Sequence, residues 1–338
     1  MPEGNELPMP VLLDTAGIPT ASPAPSSSDA DRPLNQRVTV VLLTYNCAHR
    51  LQRILDETLA LGVPVIAVDN ASHDETAAVL AERERVQLIR SPLNIGAAGR
   101  NVGAAAARTP YVAFCDDDGW YERGGLALAC DLLDQHPSVG LINARILVGP
   151  QQDLDPISAE MAASPLALED GLPGVPILGF MAGAVVVRTE AFRDVGGYDV
   201  RFFMGGEEET LALPLARSGW HLRYVPEVVA HHYPSMSNAG SLRSFGMSNT
   251  ILNAWLHRPV GSALRWTAFV LADTPKTSNY VRGVVRTVRN LPWVLRERRP
   301  LTPDLDAQLR HLDRRRYAAR RPFLTFRDWR PSDAAVSP

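Results

Sequence analysis

The chain has 338 residues, of which 46% are hydrophobic and 21% charged, and its formal net charge at pH 7 is −3. This length and composition allow a sizeable core, in one large α/β domain with additions or in two small domains. The sequence contains no stretch of about 18 or more uncharged apolar residues, which excludes a predicted membrane-spanning helix, and the small net charge gives no reason to expect a nucleic-acid partner.

The three cysteines, Cys47, Cys115 and Cys130, are odd in number and form no Cys-x-x-Cys pair. A disulfide framework or a zinc site is therefore not expected, and a reducing compartment fits. The N-terminus also lacks a basic segment followed by an apolar one, so no secretory signal is predicted. Together these features predict a cytoplasmic protein.

Residues 1–36 are rich in Pro, Ser and Asp, and the pattern changes to apolar runs at Val38. So polar a segment buries too little apolar surface to offset the entropy lost on ordering. We therefore predict a disordered leader over residues 1–36, with the folded part of the chain beginning at about residue 37.

Between residues 38 and 146, short apolar runs alternate with helical patterns. Strands are predicted at 38–43, 63–68, 86–89, 111–115 and 139–146, and helices at 49–61, 74–82, 96–107 and 126–135. Near-continuous apolar runs are typical of strands that are buried on both faces. Their alternation with helices predicts parallel strands joined by right-handed crossovers.

Polar residues follow three of these strands, at the point where each strand ends. They are Thr44-Tyr45-Asn46, Asp69-Asn70 and Asp116-Asp117-Asp118. In open α/β sheets, ligands bind outside the carboxyl ends of the strands. The three segments therefore predict one ligand site at this edge of the sheet.

The rest of the chain is less regular. Residues 149–178 hold prolines and acids with little periodicity, for which a mobile loop at the site is one interpretation. Strands are predicted at 183–188, 221–225 and 228–230, and helices at 190–195, 207–218 and from about 241 onward. From Lys276 to Arg330 there are 15 basic residues against 5 acidic ones, which reflects either a genomic preference for arginine codons or attraction to an anionic lipid or substrate.

Three adjacent carboxylates at a strand end, Asp116, Asp117 and Asp118, repel one another unless a cation lies nearby. Carboxylate oxygens suit Mg²⁺ or Mn²⁺, which often take few protein ligands and complete their coordination with substrate phosphates. A solvated acidic turn is the alternative. The position at the end of a strand favours the metal.

The segment from Asn94 to Arg100 places Gly96 and other small residues in the first turn of a predicted helix. The free amides there favour an anion, although small residues also serve close helix packing. Arg100 is a candidate for contact with a phosphate or a base. Asp69 is a candidate for accepting hydrogen bonds from a base or a ribose, with a helix-capping turn as the alternative.

Glu207, Glu208 and Glu209 begin a predicted helix directly after two glycines. One of them could act as a general base towards an acceptor hydroxyl, or all three could simply complement the helix dipole. His231 and His232 follow a predicted strand, where neighbouring side chains point to opposite faces. At most one of these histidines is expected to reach a metal, and an ordinary surface pair is the alternative.

Taken in order, these segments resemble the family 2 glycosyltransferases with the GT-A fold. The resemblance covers residues 38–255 and lies in segments 40–46, 68–76, 94–101, 116–118, 179–184, 206–208 and 225–231. It implies an α/β, Rossmann-like GT-A domain over residues 37–258, with a mixed, mainly parallel sheet that binds a nucleotide-sugar. A helical, Arg-rich C-terminal extension is expected over residues 259–338.

The resemblance also implies roles for individual residues. Asp118 is the implied metal ligand, completed by Asp116 and His231, while Glu208 occupies the position of the catalytic base. Because the family carries Asp at that position, the base remains open among Glu208 and its neighbours Glu207 and Glu209. The nucleotide-sugar ligands implied are Thr44, Tyr45, Asn46, Asp69, Asn94, Gly96, Arg100, Asp116 and Asp117.

The implied activity is inverting, metal-dependent transfer, with Mn²⁺ or Mg²⁺, from a nucleoside diphosphate-sugar to a hydroxyl of a glycan, glycolipid or small molecule. Polysaccharide or cell-wall synthesis, with peripheral contact at the inner face of the membrane, fits such an enzyme. A non-catalytic GT-A scaffold is one alternative. A sugar-phosphate nucleotidyltransferase is another, but its lysine-containing loop near the first strand is missing, since Lys276 is the only lysine. A nicotinamide dehydrogenase is discounted because no G-x-G-x-x-G follows the first strand.

Overall fold

A mixed ten-stranded sheet lies at the centre of the computed structural model, which describes residues 32–234 and 239–320. The strands in these residues are β1 (Val38–Thr44), β2 (Val65–Asp69), β3 (Val86–Arg90), β4 (Tyr111–Asp116), β5 (Gly119–Tyr121), β6 (Val139–Val148), β7 (Asp153–Leu154), β8 (Val175–Pro176), β9 (Ala184–Arg188) and β10 (His221–His232).

Helices pack on both faces of this sheet and continue beyond it. They are α1 (Leu34–Arg37), α2 (Ala48–Leu59), α3 (Thr76–Ala81), α4 (Gly99–Ala106), α5 (Gly125–Gln135), α6 (Pro156–Ala162), α7 (Thr189–Asp194), α8 (Glu209–Arg217), α9 (Ala239–His257), α10 (Val260–Asp273), α11 (Ser278–Arg296) and α12 (Pro303–Ala319). A 3₁₀ turn, Gly96–Ala98, leads into α4.

The main path through the sheet runs β3-β2-β1-β4-β9-β6-β10-β5. The first four strands are parallel, β9 is antiparallel to both of its neighbours, and β6 and β10 are again parallel. The predicted mixed sheet is confirmed. Its parallel part is the half in which apolar runs alternate with helices, and the antiparallel β9 enters at the centre.

Burial explains why the first strands read as continuous apolar runs. Every residue of β1 and β2 is buried, because helices cover both faces of this half of the sheet. Alternate residues of β1 belong to two different clusters: Val40 packs with α2, whereas Val41 packs with β9 and α4. Strands with this environment lose the polar–apolar alternation of a half-exposed strand.

Three details differ from the sequence-based expectations. Residues 149–178, expected to be irregular, contain α6, which begins where the Asp155 carboxylate accepts a hydrogen bond from the backbone N–H of Ile157 (2.8 Å). The two strands predicted at 221–230 are one strand, β10, with a register shift between Val225 and Val229. Strand β5 was not predicted, because three residues are too few to show a period.

The two ends of the chain extend beyond the described residues. Residues 1–31 of the predicted leader and 321–338 of the predicted C-terminal extension lie outside them, while residues 34–36 belong to α1. The described part of the extension is helical, as expected. Its helix α10 shares a separate core, around Trp266 and Met247, with α9, which precedes the extension in the chain. None of the helices in the described residues combines the length and apolar content needed to cross a bilayer.

Candidate active site

The carboxyl ends of β1, β2 and β4 meet at one edge of the sheet. In the parallel ladders Thr44 lies opposite Asp69, and Leu43 lies opposite Asp116. Thr44 is fully buried, and its hydroxyl donates to the carbonyl of Val68 (3.2 Å). The structure thus brings together the three polar strand ends that the sequence singles out.

The turn after β1 is fixed by the residues that follow β2 and β4. Asn46 has a left-handed backbone (φ 48°). Its side-chain oxygen accepts a hydrogen bond from the N–H of His73 (2.8 Å), and its own N–H donates to Ser72 Oγ (2.9 Å). The N–H of Tyr45 donates to Asp117 (3.1 Å). The described contacts of Tyr45 and Asn46 therefore hold three loops in one arrangement.

Asp69 is fully buried at the end of β2. Its Oδ1 accepts a hydrogen bond from the N–H of Ser72 (3.2 Å), and its Oδ2 lies 3.3 Å from Nε of Arg90, whose side chain is largely exposed. The buried carboxylate is therefore paired with an arginine that is itself open to solvent.

The loop before α4 joins the strand-end side of the site to the segment that carries the predicted base. Asn94 Oδ1 accepts a hydrogen bond from the N–H of Gly96 (3.0 Å), and the next N–H, that of Ala97, donates to the carbonyl of Phe203 (2.7 Å). Gly96 has φ +60°, and a Cβ there would lie 2.0 Å from the Phe203 oxygen. Only glycine allows this close approach of two backbones.

Two of the three adjacent carboxylates are paired with arginines. Asp116 pairs with Arg100, and Asp117 pairs with Arg50, which also donates to the Asp117 carbonyl (3.2 Å). Burial, followed by the charge of Asp118, raises the pKa of Asp117 to about 6, although Arg50 opposes this. Arginine side chains thus partly relieve the repulsion among the three adjacent carboxylates, which a metal was expected to relieve.

The histidine near the third carboxylate is His232. Its Nε2 lies 3.5 Å from Asp118 Oδ1, and its Nδ1 lies 3.9 Å from Asp155. Burial alone would lower the pKa of His232, but the proximity of these two acids raises it to about 10. The ring of His231 stacks on Trp120 instead (centroids 5.3 Å apart). The resemblance implies His231 as the metal ligand, whereas the geometry places His232 beside Asp118 and makes it the candidate ligand.

Asp118 and His232 fit a divalent cation that also binds substrate phosphates. Within the described part of the chain, no three His, Cys, Asp or Glu side chains are grouped to hold a metal by themselves. Mg²⁺ and similar ions are nevertheless commonly held by one or two protein groups, with phosphate and water oxygens as the other ligands. The 3.5 Å separation of these two side chains is close to the roughly 3 Å expected between neighbouring ligands of one such ion.

Arg100 links the strand-end acids to the glutamates of the loop before α8. Its guanidinium is buried, pairs with Asp116, and lies 4.0 Å from Glu207 Oε1. Burial, followed by the charge of Glu208, raises the pKa of Glu207, and Arg100 opposes the shift. Burial also raises the pKa of Glu208, which is partly exposed and lies within the field of Arg100 and Asp116. Both predicted catalytic carboxylates therefore lie within the influence of the arginine that pairs with Asp116.

Glu209 faces a different part of the molecule. Burial raises its pKa, and the charges that oppose this come from Arg258 and Arg316, on the C-terminal side of the chain. Glu208 occupies the N-cap position of α8, and its carbonyl accepts a hydrogen bond from the N–H of Ala212 (2.8 Å). Of the three glutamates, Glu207 and Glu208 lie towards the strand-end acids.

Several residues of the site were not predicted from the sequence. Arg50 and His232 are two of them. Two side-chain amides on α9 also hold the loop before α8: Asn249 donates to the Gly205 carbonyl (2.9 Å), and Asn253 donates to the Gly206 carbonyl (2.7 Å). These contacts join residues more than 40 positions apart, so no local sequence pattern predicts them.

The sequence matches known proteins over the same region. The profile of the family described as Glycosyl transferase family 2 matches residues 39–196. A pre-mycofactocin glycosyltransferase of Mycobacterium tuberculosis is 33% identical over 66% of this chain and 47% of its own length, so the chain spans about half of that relative. An N-acetylglucosaminyl-diphospho-decaprenol L-rhamnosyltransferase of M. tuberculosis is 26% identical over 68% of this chain and 88% of its length. An uncharacterized glycosyltransferase of Mycobacterium bovis is 30% identical over 64% of this chain and 96% of its length.

Solved structures share the fold. The 1–349 fragment of Staphylococcus aureus TarS in complex with UDP-GlcNAc superposes with a TM-score of 0.57 at 14% identity, over 85% of this chain and 88% of that one. The mannosyltransferase PcManGT from Pyrobaculum calidifontis, in complex with GDP-Man and Mn²⁺, gives a TM-score of 0.53 at 20% identity, over 88% and 79% of the two chains. At this identity the likeness establishes the architecture alone.

Proposed function

The chain belongs to the family 2 glycosyltransferases and has their GT-A fold, and from this premise we propose that it transfers a sugar from a nucleoside diphosphate-sugar to an acceptor hydroxyl, with inversion at the anomeric carbon. The relatives are glycosyltransferases by name, which favours this activity over that of a sugar-phosphate nucleotidyltransferase. A non-catalytic sugar-binding protein is the alternative that experiment must exclude.

One observation carries the proposal: Arg100 lies between Asp116 and Glu207. The first acid stands at the strand edge where nucleotides bind in α/β sheets. The second adjoins Glu208 at the start of α8. A donor held at the strand edge therefore has its sugar directed towards a carboxylate that can serve the acceptor.

The reaction follows from these positions. Glu208 accepts the proton of the acceptor hydroxyl as the hydroxyl oxygen bonds to the anomeric carbon. The bond from that carbon to the diphosphate oxygen breaks on the opposite face, and its electron pair leaves with the nucleoside diphosphate. Burial raises the pKa of Glu208, which makes it a stronger base than an exposed glutamate. Arg100 offers its positive charge to the developing diphosphate.

Asp118 and His232 are the residues that we propose to hold Mn²⁺ or Mg²⁺. When bound, the cation neutralises charge on the departing diphosphate. His232 must be neutral to act as a ligand, whereas Asp118 and Asp155 keep its pKa at about 10, so binding of the cation is expected to release a proton. PcManGT, whose fold this chain shares, contains GDP-Man and Mn²⁺.

We propose that the acceptor is presented at the inner face of the cell membrane. The rhamnosyltransferase relative is named for an acceptor on decaprenol, a polyprenol lipid. The basic C-terminal part of this chain is suited to an anionic surface. A lipid-linked saccharide is therefore the acceptor class that we favour over a free small molecule.

The role of Glu208 is tested by Glu208→Gln in the full chain. We expect the transfer rate to fall by about 100-fold or more, because a general base contributes roughly 10²–10⁴, while affinity for the nucleoside diphosphate stays within about twofold. Transfer is measured as nucleoside diphosphate released from UDP-, GDP- and dTDP-sugars in the presence of a bacterial lipid extract. Binding of the nucleotide is measured by calorimetry.

Glu190→Gln is the matched control, because Glu190 also lies in the first turn of a helix, α7, but outside the site. It should retain wild-type transfer. A fully active Glu208→Gln protein would remove Glu208 from the role of base. Wild-type protein that binds nucleotide but releases none from any donor would favour the non-catalytic alternative.

A further inference from the structure

Helix α11 carries an unusual outward face. Val281, Val285, Val288 and Leu295 are exposed to 60%, 44%, 64% and 46%, and Pro292 between them is also exposed. These five residues are separated by steps of four, three, four and three. Because a helix turns once in 3.6 residues, they form one stripe, about 21 Å long.

The opposite face of α11 is packed on α9, which fixes the orientation of the stripe. Gly283 and Val294 are buried. Thr287 is hydrogen-bonded to Ser248 (3.2 Å), and a Cβ at Gly283 would lie 2.9 Å from Met247 Sδ. The outward stripe is therefore a stable feature of the folded chain and cannot be removed by rotating the helix.

Three arginines lie beside the apolar stripe along its length. Arg282, Arg289 and Arg296 are exposed and stand seven residues apart, each directly after an apolar residue of the stripe. Helix α11 contains no Asp or Glu. A face that is both apolar and positively charged matches the boundary between the acyl chains and the headgroups of an anionic bilayer. Long arginine side chains reach the phosphates while their stems remain in the apolar layer.

We propose that the α11 stripe (residues 281–296) docks the enzyme onto an anionic lipid bilayer. This inference rests on the proposed membrane-bound acceptor and identifies the surface that would make the contact. Helix α11 would lie in the plane of the membrane interface, because no helix of the described residues is long and apolar enough to span a bilayer.

Other occupants of the stripe fit less well. A second copy of α11 would place like charges opposite one another, since this helix has no acid to pair with its arginines. Residues 321–338 carry three arginines against two acids and so do not complement its charge. Residues 1–31 are acidic but contain one short apolar run, 11–13, which is too short to cover a stripe of about 21 Å.

Vesicle flotation of the full chain tests the proposal. The wild type should float with vesicles of phosphatidylcholine mixed with phosphatidylglycerol, less so with phosphatidylcholine alone, and less so at high salt. The triple variant Arg282→Gln/Arg289→Gln/Arg296→Gln should lower the partition coefficient by about 100-fold, since each arginine contributes roughly a factor of five. Val281→Ser/Val288→Ser should lower it roughly tenfold.

The matched control is Arg85→Gln/Arg108→Gln/Arg123→Gln, which removes the same charge from three exposed arginines of the GT-A domain. Its flotation should equal that of the wild type. An equal loss in the control and in the α11 triple variant would indicate attraction by net charge and overturn the assignment of the surface. A wild type that does not float would overturn the bilayer as occupant.

Two further measurements separate this inference from the proposed function. Nucleotide-sugar binding is measured for every variant by calorimetry without vesicles, so that loss of flotation with intact donor binding reports on α11 alone. Donor binding that fails while flotation persists contradicts the proposed function and leaves the bilayer surface standing. Sedimentation velocity completes the test: a dimer that dissociates in Val281→Ser/Val288→Ser would assign the stripe to self-association and overturn the proposal.

Discussion

Arg100 shows how one side chain couples the two halves of the site. It is 1% exposed, yet it faces two acids, Asp116 and Glu207. Among the described residues, its Nε and Nη1 have no hydrogen-bond acceptor, and Glu207 Oε2 has no hydrogen-bond donor. Buried polar atoms left without partners are costly, so this enclosed arginine–carboxylate cluster carries an energetic cost in the folded chain.

The burial of Glu207 leads to a prediction about pH and stability. Its pKa is raised by burial in the folded chain, so its contribution to stability is present below the ordinary glutamate pKa of about 4.3 and is lost as pH rises through the raised value. Glu207→Gln has no proton to lose. Its melting temperature, relative to that of the wild type, should therefore increase between mildly acidic and alkaline pH.

Thermal unfolding of both proteins at a series of pH values measures this difference. The exposed Glu84, changed to Gln, is the control and should give a difference that does not vary with pH. A Glu207→Gln protein that becomes less stable than the wild type at alkaline pH would show instead that ionised Glu207 forms a stabilising pair with Arg100.

The adjacent residues His231 and His232 show how far a sequence can identify a single ligand residue. Successive side chains in a strand point to opposite faces, so His231 and His232 on β10 cannot both face Asp118. The choice depends on the register of β10, where the shift after Val225 changes which residues meet β6. That shift is a tertiary feature, and the sequence alone cannot place it.

At the scale of elements, the C-terminal helices support α8, the helix that follows the proposed base. Arg258, between α9 and α10, is fully buried, pairs with Asp313 on α12, and lies over the ring of Trp266 (4.6 Å to its centroid). The same arginine acts on Glu209, the first residue of α8. The position of α12 is thereby tied to the start of the helix that follows the proposed base.

Asp313→Asn should therefore destabilise the folded chain strongly. The substitution leaves the Arg258 charge buried and without its counter-charge, and breaking such a pair commonly costs about 3–5 kcal/mol. We expect this loss in the free energy of unfolding, measured by chemical denaturation.

A second variant distinguishes loss of charge balance from loss of packing. Arg258→Met/Asp313→Leu replaces both partners with apolar groups and should recover most of the stability. The exposed Asp304, changed to Asn, should have little effect. A double variant as unstable as Asp313→Asn would show that hydrogen bonds of this pair, and not its uncompensated charge, hold α12 in place.

At the scale of the whole molecule, the mixed sheet brings together the two parts of the proposed site, the strand edge and the loop of the proposed base. The parallel strands β1, β2 and β4 supply the edge at which we propose that the nucleotide binds, whereas the antiparallel β9 leads through α7 to the loop of the proposed base. The carbonyl of Phe203, just before that loop, accepts a hydrogen bond from Ala97 (2.7 Å) on the nucleotide side. A donor bound at the proposed site would therefore contact a loop that is hydrogen-bonded to the other half of the domain.

A donor should for this reason stabilise the whole fold. A ligand that binds only the native chain, at 100 times its dissociation constant, adds about 2.7 kcal/mol. We expect a rise in melting temperature of several degrees with one family of UDP-, GDP- or dTDP-sugars, larger in the presence of Mn²⁺. Asp118→Asn should reduce the part of the shift that depends on Mn²⁺. Equal shifts with and without Mn²⁺ would contradict the metal proposal, and none with any donor would contradict donor binding.

The sequence by itself determined the strands and helices of the first half, the family, and the acids at the strand ends. These features are local: buried strands show as apolar runs, and their polar ends adjoin them in the chain. The tertiary structure decided which histidine approaches Asp118 and which arginines pair with the acids at the strand ends. It also decided that α9 and α12 support the segment from Gly205 to Glu209. Those contacts join residues far apart in sequence, and they depend on register and packing, which leave no periodic trace in the chain.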